Sequence, residues 1–188
     1  RDPSLLEWGE NVTPNIHALA RQFTNHDNFY DDSETSVQGH LWLTGGFVND
    51  YMERIWLEDY RGHGFGQEAP QAQGQPGFGN WFLHLLRHGV DFTNYGEVVG
   101  SFDACCGDSV MNHTDLEFPG VFYNMDVKDE EKALYVASQI EAGVLAPFTF
   151  LLLPNDHTKG TSSGALTPAS MIADNDYATG LVVEALSN

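Results

Sequence analysis

The run Phe148–Leu153, FTFLLL, is the longest strongly apolar stretch in the chain, and it passes directly into the polar turn PNDHTKG. It is far shorter than the ~18 apolar residues that read as a membrane span. It suits a strand buried inside a domain. A buried strand must be covered, and the rest of the sequence offers helices to do so. Thr13-Pro14-Asn15 reads as a helix start, with Thr at the cap and Pro at the first helical position. Ile16, Leu19, Ala20 and Phe23 then recur at helical spacing, and this helix should end near Phe23–Asn25.

Further elements follow in alternation. Asn28-Phe29-Tyr30 is a short aromatic strand candidate. Leu41–Trp56 has helical character, weakened by Gly45-Gly46. Trp81–His88 reads as a helix closed by Gly89, and Val90–Val99 as a strand. Val127–Ala142 reads as a helix with Asp129, Glu130 and Glu131 in its first turn, ended by Gly143. Thr167-Pro168 starts the last helix, with Met171, Ile172, Asn175, Ala178, Val182 and Leu186 on one side. Strands alternating with helices predict an α/β class: a layered fold with a mostly parallel sheet flanked by helices. The 188 residues suit a single domain, with irregular inserts at about residues 61–80 and 101–124.

Charge narrows the partners. Asp and Glu number 27 against 8 Lys and Arg, a net charge of −19. Such a surface repels nucleic acid and anionic membranes and attracts metal cations. A high-salt habitat would produce the same bias. The two cysteines, Cys105 and Cys106, are adjacent; neighbouring cysteines rarely bond each other, and no zinc-type spacing exists. The chain opens on Arg1 rather than Met, which leads us to expect a processed or partial chain.

Sites in open α/β sheets lie beyond the carboxyl ends of the strands, and two polar loops fall there. Asp31–His40 carries hydroxyls, carboxylates and an imidazole within ten residues. A hydroxyl activated beside a metal ion can attack phosphorus; the plainer reading is a solvated turn that caps the next helix. Pro154–Gly160 pairs Asp156 with His157, residue types that bind zinc or harder cations; the plainer reading is a polar turn. His17, His84 and His88 fall on helices, where structural or solvent-facing roles are expected. Trp42, Trp56 and Trp81 are expected in the core.

Three blocks, TPNIHALARQFTNHDNFYDDSETSVQGHLWLTGGFVNDYMER, LLRHGVDFTNYGE and FLLLPNDHTKGT…TPASMIADNDYATGLVVEAL, together resemble bacterial phosphoesterases of the alkaline phosphatase superfamily. The resemblance covers most of the chain. It implies an alkaline-phosphatase-like fold and metal-dependent hydrolysis of phosphate esters, with periplasmic or extracellular placement. By the family's spacing Ser36, four residues before His40 and followed by Thr44-Gly45, is the nucleophile candidate; Thr35 is second and His40 completes the catalytic set. Asp156 and His157, with Ser36, would hold divalent metal (zinc, calcium, magnesium or manganese). The substrate would be a phosphorylated small molecule or phospholipid head group. Relatives commonly separate this Asp and His by three residues. They also carry an acidic segment upstream of the matching region and further Asp and His ligands downstream of it. The chain therefore reads as a partial copy. Two other readings compete: a binding or self-assembling protein, able to form oligomers, on a degenerate phosphatase scaffold, and phospholipase-C-like or sulfatase-like specificity.

Overall fold

A computed structural model describes residues 7–26, 28–31, 36–46, 48, 50, 53–54, 81–97, 110–121 and 123–188. The chain divides into two compact units. The first comprises Arg1–Phe29, Asp115–Leu145 and Leu151–Asn188; the second comprises Tyr30–Thr114 and Ala146–Phe150. The insert expected at 61–80, residues 101–109 of the insert expected at 101–124, and the cysteine pair lie outside the described residues.

The first unit is built on helices α1 (Pro14–Gln22), α4 (Asp129–Glu141) and α5 (Pro168–Ser187), with a 3₁₀ turn at Pro154–His157. The second holds α2 (Ser36–Gly45), α3 (Trp81–Arg87), strand β1 (Phe92–Tyr95) and a 3₁₀ turn at Val110–His113. Strand β2 (Phe148–Leu151) pairs with β1 in a parallel sheet of two strands among the described residues. The structure is thus mixed helix and strand, with a small parallel sheet flanked by helices.

Expectation and structure agree on α1, α3, α4 and α5 to within a few residues. Three elements differ. Asn28-Phe29-Tyr30 forms no strand; Phe29 and Tyr30 are 67% and 65% exposed, so no apolar face is buried to hold one. Helix α2 begins at Ser36, inside the stretch read as a loop, and stops at Gly45 because Gly46 adopts φ +77°. Strand β2 is half-buried along its length, although its sequence is as apolar as a fully covered strand. Its Phe148 and Phe150 pack with Leu85 and Leu86 around the buried pair Phe82 and Phe92, whose ring centroids lie 5.4 Å apart. Burying one such phenylalanine contributes about 1.5–3 kcal/mol.

The first unit is held by carboxylates of α5, and its sequence Asp174-Asn175-Asp176 supplies three separate clamps. Asp176, 1% exposed, accepts from the backbone N–H groups of Asn15 and Ile16 at 3.0 and 2.8 Å. It therefore caps α1 in place of Thr13, whose side chain makes no cap bond and instead donates to the Gly9 carbonyl. A charged acceptor at a helix N-terminus also meets the positive end of the dipole, which a hydroxyl does not. Asp174 does the same for α4, accepting from the Asp129 N–H at 2.7 Å. Asn175 donates to the Leu153 carbonyl and to Asp129.

Asp129 and Lys132 sit at the centre, both with fully buried side chains. The Lys132 ammonium donates to Asp129 Oδ1 at 2.8 Å. The other carboxylate oxygen accepts from the Asn155 N–H and the Asn175 amide at 2.9 and 3.0 Å. Gly120 is required beside this pair, since a Cβ there would stand 2.6 Å from Lys132 Cε. Removing one partner of a buried ion pair costs about 3–5 kcal/mol, because the other charge is left without compensation. Asp129→Ala should therefore lower unfolding stability by that amount in urea denaturation. A loss below about 1 kcal/mol would remove Asp129 from the centre of this unit.

Candidate functional site

The residues singled out from sequence fall in both units. Thr35 lies outside the described residues. Ser36, exposed, is the first residue of α2. His40 lies four residues on, so the two share one stripe of the helix. Thr44 continues that stripe and donates its hydroxyl back to the His40 carbonyl at 2.7 Å.

Behind His40 stands a residue the sequence reading did not single out. Glu97 is 3% exposed, and its Oε1 lies 3.0 Å from His40 Nδ1. The β1 terminus places it there. Asn94, fully buried, accepts from the Glu97 N–H at 3.2 Å and donates to the Glu97 carbonyl and to Thr114 Oγ1. Gly96 makes the intervening turn at φ +92°. An Asn-x-Gly-Glu run after a strand is the signal that was available for it.

The His40–Glu97 contact is short but not aligned. Nδ1 and Glu97 Oε2 are both buried without a well-formed hydrogen bond among the described residues. Distance, rather than angle, governs the electrostatics of the pair. The hydrogen-bonding contact with Glu97 holds the His40 pKa above the ordinary histidine value; burial opposes this and the Glu97 charge adds to it. On the other side of α2, Gln38 Nε2 and Trp42 Nε1 are buried donors that also lack a partner among the described residues. Unpaired buried donors are rare, and such sites are commonly completed by water or a ligand.

In the first unit Asp156 and His157 occupy a 3₁₀ turn rather than an open loop. Pro154 starts that turn, and it is pinned from beneath by the Asn155 N–H on Asp129. His157 Nδ1 lies 3.1 Å from Asp156 Oδ1 and 3.2 Å from the Pro154 carbonyl. Two acceptors at Nδ1 place the proton of the neutral ring there and leave the lone pair on Nε2. The Tyr123 ring meets the imidazole edge-on with centroids 5.3 Å apart. Tyr123, in ring contact with His157, and Thr158, the residue after it, both hold positive φ, 61° and 55°. Non-glycine residues rarely accept this, and for the β-branched Thr158 it is strained. In the same turn Asn155 Oδ1 is a buried acceptor without a partner among the described residues.

As a cation site this is incomplete. Asp156 and the free nitrogen of His157 suit one edge of a coordination shell. No group of three or more His, Cys, Asp or Glu gathers among the described residues. No helix among the described residues is long and apolar enough to cross a membrane. Comparison with protein-family models, curated proteins and solved structures finds no match.

A raised histidine pKa links folding to pH. The protonated form is the favoured partner of Glu97, so this contribution is complete below the unfolded value of about 6.5 and is lost as pH rises through the higher folded value. Denaturant titrations across that window should show stability falling with rising pH. The slope should be absent in His40→Gln; an identical slope in that variant would remove His40 as its source.

Proposed function

We propose that the chain is part of a hydrolase of phosphate esters, with Ser36 as nucleophile, on a layered α/β scaffold like that of the alkaline phosphatase superfamily. The observation that carries the reading is the placement of an exposed hydroxyl in the first turn of α2, on the same stripe as the imidazole of His40. A phosphoryl group approaching Ser36 would meet the positive dipole end of that helix, an environment suited to its oxygens. The sequence resemblance supports the same assignment. Substrates of this chemistry are phosphorylated small molecules or phospholipid head groups. The family's setting would be periplasmic or extracellular.

In this reading Asp156 and His157 contribute to a divalent cation site, with His157 Nε2 as the nitrogen ligand. When bound, such a cation would supply Lewis-acid chemistry at that turn. The strained residues beside His157 support a functional role for that turn, since strain persists where surrounding structure enforces it. The chain's own residues do the rest. Ser36 attacks phosphorus, and the covalent intermediate is released by water.

Two measurements test the proposal. Ser36→Ala should lower phosphate release from p-nitrophenyl phosphate to background in the polypeptide carrying this chain while leaving its circular dichroism unchanged; turnover at the wild-type level would reject Ser36. Elemental analysis of the purified protein should find a divalent metal that is lost in Asp156→Ala/His157→Ala. Equal metal in the double variant would reject that site.

A further inference from the structure

We propose that Glu97 is a positioning residue that holds His40 as the proton-transfer partner of Ser36, so that the three act as one nucleophilic unit. The inference rests on Ser36 as the reacting hydroxyl. Three observations independent of one another lead to it. Ser36 and His40 occupy positions i and i+4 of α2, the spacing at which helical side chains become neighbours. Glu97 Oε1 lies 3.0 Å from Nδ1 of His40, the nitrogen that an orienting carboxylate holds when the other nitrogen is to take a proton. Glu97 is buried, and its second oxygen is unpartnered among the described residues. A buried carboxylate with an unfilled acceptor is costly, and such a residue calls for an explanation beyond packing.

Among the described residues Glu97 has His40 as its only charged partner, and no Lys or Arg neutralises it. A fixed negative charge behind an imidazole stabilises the imidazolium that forms when the ring accepts a proton. Its proximity, without an aligned hydrogen bond, favours hydrogen on Nδ1 and the lone pair on Nε2. The proton on Ser36 Oγ would pass to Nε2 as the Oγ–P bond forms and the bond from phosphorus to the leaving-group oxygen breaks. That oxygen then takes the proton from Nε2. In the second stage water gives its proton to Nε2 and bonds to phosphorus, and Oγ leaves and takes that proton. His40 ends as it began.

A fluorophosphonate probe tests this without requiring the natural substrate. It reacts with an activated serine by forming an Oγ–P bond and releasing fluoride, with the serine proton passing to the base. Mass spectrometry of the probe-treated protein should find the adduct on Ser36. The labelling rate should fall about a hundredfold in Glu97→Gln. Glu97→Asp, which restores the carboxylate, should recover part of that loss; a merely structural role for Glu97 predicts no such rate effect in folded protein. If Glu97→Gln fails to fold, His40→Ala, at a position one-third exposed, should show the same fall. An unlabelled Ser36, or labelling as fast in these variants as in the wild type, overturns the inference. Labelled Ser36 without phosphate release leaves the inference standing and overturns the phosphoesterase reading.

Discussion

The buried Asp129–Lys132 pair is the constraint on which the first unit depends. Two opposite charges without solvent are tolerable only if every lone pair and proton finds a partner. Asp129 meets that condition by recruiting groups far apart in sequence: Lys132 on its own helix, the Asn155 backbone, and Asn175 on α5. Satisfying one carboxylate therefore fixes α4, the Pro154–His157 turn and α5 against each other. The turn that holds His157 inherits its position from this buried centre, since Asn155 is tied to Asp129 and to Asp174.

The acidity of the chain acquires a second meaning from these contacts. A net charge of −19 suggests cation binding when read as a total. Asp129, Asp174 and Asp176 spend their charge inside the fold, one on a lysine and two on helix N-termini. Asp174 and Asp176 cap helices whose own N-cap side chains make no cap bond. Lys128, at the N-cap position of α4, has no side chain able to accept a hydrogen bond, and Thr13 directs its hydroxyl elsewhere. Acidic composition is thus partly an architectural requirement, and only the exposed remainder bears on ligands.

Helices were legible because their signals are local. Thr167 accepts from the Ser170 N–H as its sequence predicts, and Gly89 and Gly143 close their helices at positive φ. What sequence could not show is pairing across long separations. Asn15 and Asp176 stand 161 residues apart, and nothing in either neighbourhood names the other. The periodicity of α5 marked its apolar side through Met171 and Ala178, but the most consequential residue, Asp176, is a buried charge that the pattern excludes. Glu97 escaped for the same reason. A lone glutamate after a strand reads as a solvated edge until the Asn94 turn is seen to fold it inward.

Two buried carboxylates in this chain have opposite fates, and the difference bears on function. Asp129 is fully satisfied: both oxygens are filled, and the Lys132 amine lies beside it. That is the condition of a residue that specifies structure. Glu97 faces an imidazole, the one side chain whose charge ordinarily changes near neutrality, and keeps an oxygen unfilled. A group needed only for packing would be replaced at lower cost by an amide or an apolar side chain of similar size. Its negative charge is useful only where its neighbour must sometimes carry a positive one. That neighbour lies one helical turn from an exposed serine, and so the incomplete carboxylate, rather than the complete one, points to chemistry.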